Sequence, residues 1–102
     1  MKSIVKIFSV FLLNYLLYGG ITGKLTGTIK DKETGEPLIG CNVILEDTYI
    51  GTSTDGQGEF IILNIPPKSY TVRFEMIGYK KLLHEGILIS SDKTIKLDGN
   101  ME

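Results

Sequence analysis

Five acidic residues stand in or beside turn sequences, where their carboxylates could supply oxygen ligands to a calcium ion: Asp31, Glu33, Asp47, Asp55 and Glu59. Calcium needs roughly six to eight oxygen ligands, often from such turns. No calcium-loop spacing is present in this sequence. An aspartate that precedes a glycine, as Asp55 does, ordinarily accepts backbone hydrogen bonds that hold its own turn. The sequence therefore favours a structural role for Asp55, and we predict no metal-ligating residue.

The residues that could act in catalysis are too few for a known type of active site. His84 is the only histidine, whereas a zinc peptidase typically needs two histidines, a carboxylate ligand and a carboxylate base. Serine chemistry would call for a nucleophile motif such as Gly-x-Ser-x-Gly, which is not found here. Cys41 could pair with His84, but a cysteine on a buried face is inert. We predict no catalytic or cofactor-binding residue, no enzymatic activity, and a surface position on a strand for His84.

Aromatic side chains offer a second kind of site, a platform for a sugar or a peptide. Tyr70 and Phe74 alternate with apolar neighbours and are expected in the core, as is Phe60. Tyr49 and Tyr79 are the better candidates for exposed positions because glycines lie close to both. The open edge of a sheet is a further binding mode, since an unpaired strand can accept an extended segment from a partner.

The composition narrows the classes of partner. The chain has 102 residues, with 11 basic and 12 acidic side chains, so no basic surface is available to neutralise a nucleic-acid backbone. A single cysteine cannot form an internal disulfide, and the domain must therefore be stabilised by hydrophobic burial. We predict no nucleic-acid partner and one small domain.

The first residues have the order of a secretory signal peptide, with lysines, then an apolar run, then small residues. Lys2 and Lys6 precede the run over residues 7–17, and Gly19-Gly20 ends it. The run is shorter than the roughly 20 residues of a membrane span, although an uncleaved anchor is the alternative. We predict a helical signal peptide over residues 1–22 and an exported protein. Cleavage after Gly20 instead of Thr22 remains open.

The sequence Leu38-Ile39-Gly40-Cys41 looks like a bacterial lipoprotein cleavage site. Its position argues against that function, because the apolar run ends about twenty residues earlier and a polar stretch intervenes. Cys41 also opens an alternating segment, and free cysteine is commonly a small buried hydrophobe. We predict that Cys41 lies in the core.

After residue 20, alternating apolar and polar residues separated by turn sequences predict β-strands. The clearest alternation places Tyr70, Val72, Phe74 and Met76 on one face of a strand. The short apolar run Phe60–Leu63 predicts a buried central strand, and Asp55–Gly58 predicts the hairpin turn before it. Further strands are predicted at residues 24–30, 41–46, 49–54, 79–89 with a break at Glu85-Gly86, and 93–97. This pattern predicts an antiparallel sandwich, with a barrel as the alternative.

Five motifs of the chain resemble, in order and spacing, the carboxypeptidase regulatory-like family. They are Gly27-Thr28-Ile29, residues 34–40 (Thr-Gly-Glu-Pro-Leu-Ile-Gly), residues 51–60 (Gly-Thr-Ser-Thr-Asp-Gly-Gln-Gly-Glu-Phe), Ile65-Pro66 and Ile77-Gly78-Tyr79. The resemblance implies an all-β, seven-stranded antiparallel sandwich similar to transthyretin. The chain departs from the family pattern at Cys41, where a small residue is usual. It also departs at Lys68-Ser69-Tyr70, where a glycine usually precedes the tyrosine.

The resemblance also implies a biological setting, because such domains often precede the plug and barrel of TonB-dependent outer-membrane receptors. We expect a signal peptide at 1–22, the sandwich domain at 23–98 and a C-terminal tail at 99–102. The expected function is that of a non-catalytic accessory domain in the periplasm or at the outer membrane. It would be the N-terminal extension of a receptor, or a truncated or stand-alone relative, with a linked receptor domain or another protein as its partner. The alternative is an independent secreted module that binds a glycan or a peptide.

Overall fold

The computed structural model describes residues 21–102. In its strands, the alternation of apolar and polar residues corresponds to an alternation of buried and exposed side chains. The predicted signal peptide falls almost wholly outside these described residues. Within them no helix has the length and apolar character needed to cross a membrane. The described part of the chain forms β1 (Gly23–Asp31), β2 (Asn42–Leu45), β3 (Gly51–Ser53), β4 (Glu59–Ile65), β5 (Ser69–Glu75), β6 (Leu82–Leu88), β7 (Thr94–Lys96) and β8 (Gly99–Met101). The predicted all-β sandwich is thus confirmed.

The first sheet is built around β1. Strand β4 pairs antiparallel with one side of β1, while β7 and β8 pair with successive halves of its other side and run parallel to it. The sheet is therefore mixed, where the sequence predicted antiparallel strands only. The predicted last strand is also divided in two. The carboxylate of Asp98, between β7 and β8, accepts the backbone N–H of Thr28 at 2.9 Å and replaces a strand-to-strand bond there.

Residues 99–101 form β8 and are part of the sheet, which corrects the prediction of a C-terminal tail that leaves the domain at residue 98. Gly99, Asn100 and Met101 pair with Ile29–Asp31 of β1. The side chain of Met101 is buried, and its sulfur lies 3.5 Å from the Sγ of Cys41. The segment was misassigned because glycine and asparagine ordinarily favour turns, whereas here burial of one apolar side chain and pairing to β1 hold it extended.

The second sheet has the strand order β3-β2-β5-β6, with every pair antiparallel. The predicted break at Glu85-Gly86 is a β-bulge within a continuous strand. Tyr70 pairs with Ile87 and Val72 with His84, so two residues of β6 face the single residue Thr71 of β5. Gly86 accommodates this with a φ of 69°, a value at which a side chain would be strained.

The core lies between the two sheets and is formed by the inward residues of both. Its fully buried large side chains include Leu25 and Ile29 of β1, Val43 and Leu45 of β2, and Val72 and Phe74 of β5. Cys41 is also fully buried, as predicted. The ring of Phe74 meets Phe60 edge-on, with ring centroids 6.0 Å apart, and so joins the two sheets. Met76, predicted on the same strand face, lies beyond the end of β5 and is only partly buried.

The apolar run Phe60–Leu63 is not the buried central strand that its composition predicts. Strand β4 lies at an edge of the first sheet, and only Phe60 and Ile62 of the run point into the core. Ile61 and Leu63 are 51% and 53% exposed on the outer face. Four consecutive apolar residues fit either a buried central strand or an edge strand. When both faces of a strand carry apolar side chains, the sequence does not show which face is buried.

Thr54 is the one buried polar residue of the described chain, and it fixes the turn before β2. Its hydroxyl donates to the carbonyl of Leu38 and accepts the N–H of Cys41 at 2.9 Å. Its backbone N–H and C=O bond the carbonyl of Cys41 and the N–H of Gly40. Four hydrogen bonds thus connect Thr54 to the segment that leads into β2.

Candidate functional site

Asp55 holds its own turn, in agreement with the structural role predicted for it. Its Oδ1 accepts the backbone N–H groups of Gln57 and Glu59, each at 2.9 Å. The other acidic residues considered as ligands do not join it. Across residues 21–102, no three His, Cys, Asp or Glu side chains come close enough together to hold a metal ion. The turn sequence around Asp55 therefore has a conformational function.

His84 lies on β6, as predicted, but it is half-buried and not the surface residue that the sequence suggested. Its ring packs edge-on against Phe74, with centroids 5.6 Å apart. The Nε2 atom is buried and has no hydrogen-bond partner among the described residues. A buried imidazole nitrogen without a partner is uncommon, because the lost hydration is ordinarily replaced by a hydrogen bond.

Cys41 is placed for packing. Its side chain is completely buried against Met101, and burial raises the pKa of the thiol because the thiolate would lose its hydration. A thiol of raised pKa is a poor nucleophile. The structure therefore offers no cysteine chemistry at this position.

The two tyrosines predicted as a binding platform lie apart. Tyr49 is fully exposed in the turn that follows Leu45, the last residue of β2. Tyr79 lies near Asn42, at the opposite end of β2. Its hydroxyl donates to Oδ2 of Asp31 at 2.7 Å. These two tyrosines therefore form no common surface, and Tyr79 has a structural partner.

The bond between Tyr79 and Asp31 changes the pKa of both groups. The tyrosine hydroxyl, followed by the backbone N–H groups of Thr34 and Glu33, lowers the pKa of the Asp31 carboxyl from 3.8. The same bond raises the pKa of Tyr79, because it favours the protonated phenol. The two shifts agree in sign with a neutral hydroxyl that donates to a carboxylate.

We expect Tyr79→Phe to reduce stability at neutral pH and to raise the pKa of Asp31 towards 3.8. Because the folded pKa of Asp31 is lowered, its stabilisation is complete above pH 3.8 and is lost as the pH falls through the folded value. The difference between the parent protein and Tyr79→Phe should therefore shrink in acid. Urea unfolding from neutral to about pH 2 and a carboxyl ¹³C titration of Asp31 measure both effects. Tyr49→Phe is the matched control, and identical Asp31 titrations in the parent and Tyr79→Phe would contradict the assignment.

The structure brings together one set of groups that the sequence did not. A cleft of about 400 Å³ lies between the edge strands β6 and β8, one from each sheet, and we call it the β6–β8 cleft. It is lined by Lys32, Lys80, Lys81, Leu82, His84, Asp98, Asn100, Met101 and Glu102. This cleft was not predicted, because residues 99–102 were expected to form a tail. The alternation of Gly99, Asn100 and Met101, with only the methionine apolar, was the available signal.

A second and wider depression of about 510 Å³ lies beside β4, the edge of the first sheet. Hydroxyl groups of Thr26, Thr28, Thr52 and Ser53 line it, together with Ile61 and other residues. Its two carboxylates belong to Asp55, which holds its turn, and Glu59. The depression has few charged side chains, and its one aromatic lining residue, Phe60, is buried.

Comparison with known proteins gives one family match. The family model described as CarboxypepD_reg-like domain matches residues 25–102, which is most of the chain and includes β8. Among curated proteins, the TonB-dependent transporter Oar of Myxococcus xanthus is 29% identical over 94 residues. The match takes in 81% of this chain and spans only 9% of the length of the transporter.

Solved structures with the same fold share little sequence with this chain. A chain of a type II cohesin–X–dockerin complex from Acetivibrio cellulolyticus superposes with a TM-score of 0.63 at 23% identity, covering 76% of this chain and 52% of that one. A Bacteroides uniformis protein described as carbohydrate-binding gives 0.59 at 20% identity, with coverages of 76% and 40%. The TIE protein of Bacillus anthracis gives 0.61 at 22% identity, with coverages of 78% and 17%. These likenesses establish the sandwich fold.

Proposed function

This chain belongs to the CarboxypepD_reg-like domain family over residues 25–102, and from that membership we propose that it is a non-catalytic accessory domain of the cell envelope. In this proposal residues 1–22 are a signal peptide that exports the chain, and residues 23–102 are the working domain. The domain is joined to a TonB-dependent receptor of the outer membrane or docks on one. The similarity to a TonB-dependent transporter supports this setting.

The arrangement of the described residues supports a binding function over a catalytic one. Asp55, Cys41 and Tyr79 each have a structural partner, and His84 stands without a carboxylate or nucleophile bonded to it. The β6–β8 cleft and the open strand edges provide surface for another protein. The observation that carries the proposal is this combination of a receptor-linked family with a sandwich whose reactive side chains are used in packing and turns.

A test in the native cells combines export with proximity. We expect an epitope-tagged chain to fractionate with the envelope in a form shortened at the leader. A photoreactive residue at Leu83, 47% exposed on β6, should crosslink to a TonB-dependent receptor identified by mass spectrometry. The same residue at Ile77, fully exposed and off the strands, serves as the matched control. A full-length chain retained in the cytoplasm, or crosslinks only to proteins unrelated to receptors, would contradict the proposal.

The alternative is an independent carbohydrate-binding module, and the hydroxyl-lined depression beside β4 is the observation that favours it. Sugar sites commonly add an exposed aromatic face, which the residues lining this depression do not provide. Saturable binding of a soluble envelope glycan, lost in a Thr26→Val variant, would favour the alternative. The accessory-domain proposal expects no such binding.

A further inference from the structure

Strand β6 offers an unused row of backbone hydrogen-bonding groups. It pairs with β5 on one side only and is the last strand of its sheet. Alternate N–H and C=O groups along such a strand point away from the sheet and can pair with another strand. The bulge at Gly86 twists the second half of β6, so the regular part of this edge is Leu82–Glu85. That regular part borders the β6–β8 cleft.

The carboxylates of the β6–β8 cleft already have partners. Oδ1 of Asp98 accepts the N–H of Thr28 at 2.9 Å, and its Oδ2 lies 4.0 Å from the Nζ of Lys96. Oε2 of Glu102 lies 3.4 Å from the Nζ of Lys32. The acidic side chains of the cleft are therefore compensated within the domain.

Two nitrogen groups of the cleft, Nζ of Lys80 and Nε2 of His84, lack partners within residues 21–102 and can donate hydrogen bonds. Lys81 pairs with Glu75 at 3.6 Å, but Lys80 forms no ion pair with any residue of the described chain. The Nε2 atom of His84 is buried and likewise has no partner among those residues. A lysine ammonium can only donate, and the imidazole Nε2 donates to an oxygen when it carries the ring proton. Uncompensated donors beside an open strand edge match a ligand that brings both a carboxylate and an extended backbone.

From these contacts we propose that the β6–β8 cleft is the docking site for an extended acidic segment of a partner protein. The segment adds a strand to β6 along Leu82–Glu85 and places an aspartate or glutamate side chain in the cleft, within reach of Lys80 and His84. This inference rests on the proposed function in one respect, that the domain's partner is a protein.

The geometry of β6 sets the sequence pattern of that segment. Side chains of a paired strand alternate between the two faces of the sheet. On β6 itself, His84 faces inward and Leu83 faces outward with 47% of its surface exposed. The docked segment should therefore have an acidic residue directed into the cleft and apolar or β-branched residues on either side of it, next to Leu83.

The other long open edge, β4, fits this partner less well. Its neighbouring depression contains two carboxylates, Asp55 and Glu59, and one lysine, Lys96. Asp55 already accepts two backbone hydrogen bonds. An acidic segment at β4 would meet two carboxylates and a lysine that already lies 4.0 Å from Asp98, which makes β6 the edge favoured by charge.

The probe for the test is a blocked pentapeptide, acetyl-Thr-Val-Asp-Val-Thr-amide, compared with the same peptide carrying Asn in place of Asp. Amide ¹H–¹⁵N spectra of the full chain are recorded during titration with each peptide. We expect saturable shifts confined to residues 80–85 and 98–102, and affinity for the Asp peptide about tenfold above that for the Asn peptide. Lys80→Gln should remove this difference and leave the affinity for the Asn peptide unchanged.

Two further variants keep the result interpretable. Lys93→Gln changes a lysine remote from the cleft, in the turn before β7, and should bind both peptides as the parent does. His84→Phe keeps an aromatic ring against Phe74 but removes the ring nitrogens, so it should also weaken binding of the Asp peptide, with folding checked by its melting curve. Equal affinities for the two peptides, no saturable shift, or shifts centred on β4 would each overturn the docking site. None of these results would affect export to the envelope, which tests the proposed function separately.

Discussion

Replacing Phe74 with alanine is expected to remove about 3–5 kcal/mol of the free energy of unfolding. The side chain is completely buried on β5, between β2 and β6. Its ring contacts Phe60 of the facing sheet and His84 of the neighbouring strand, with centroids 6.0 and 5.6 Å away. Alanine would lose both edge-to-face contacts and leave a cavity that two hydrogen-bonded sheets cannot close. Small domains are stabilised by roughly 5–15 kcal/mol in total, so this variant should be close to unfolding at room temperature.

Thermal unfolding followed by circular dichroism measures the effect, because each kcal/mol shifts the midpoint of a domain of this size by about 4–8 °C. Tyr49→Ala is the matched control. It deletes another aromatic ring, but one that is fully exposed in a turn, and its midpoint should stay within a few degrees of the parent. Equal midpoints for the two variants would mean that Phe74 is not at the centre of the core.

The second large effect is expected at Thr54, where valine should cost about 2–4 kcal/mol although its shape is nearly the same. Valine cannot accept the N–H of Cys41 or donate to the carbonyl of Leu38, and both of these groups lie in the interior turn that precedes β2. Each buried backbone group left without a partner costs roughly 1–3 kcal/mol. The cost arises from desolvation and not from lost volume, which distinguishes it from the Phe74 case.

Thr54→Ser separates the hydroxyl from the methyl group. Serine keeps the oxygen and loses one buried methyl, for which about 1 kcal/mol is expected. Urea unfolding should therefore rank the parent first, the serine variant second and the valine variant last. A valine variant as stable as the serine variant would show that the two backbone groups find other partners.

The parts of the fold that the sequence predicted are those in which one face is apolar and the other polar. Tyr70, Val72 and Phe74 alternate with Thr71 and Arg73, and all three are buried. Leu25 and Ile29 behave in the same way on β1. Period two is directly visible in such segments, because a shift of one residue would expose every apolar side chain.

The pairing of β7 and β8 with β1 could not be predicted in this way. Their partners lie about seventy positions earlier in the chain, as with Thr28 and Asp98, and no local pattern encodes which strand a segment joins or in which direction. The prediction of a buried central strand at Phe60–Leu63 was wrong for a related reason. Exposure of Ile61 and Leu63 follows from the position of β4 at a sheet edge, which is a property of the topology.

In the candidate site, too, local features could be predicted from the sequence and features set by the topology could not. The local function of Asp55, which bonds residues two and four positions ahead, was predictable from its turn sequence. The environment of His84 was not, since it depends on β8 lying beside β6. Side chains from residues 32, 80, 84 and 102 meet there because two sheets place their edges next to each other.

The position of β1 in its sheet also determines when the domain can complete its folding. One side of β1 is completed only by β7 and β8, which lie about seventy positions later in the chain. A nascent chain that emerges amino end first therefore has its central strand half unpaired until residues 94–101 have been made. Pairings of such long sequence separation form slowly, because a large loop must be ordered before any contact is gained. The domain therefore becomes rigid only once residues 94–101 have paired with β1.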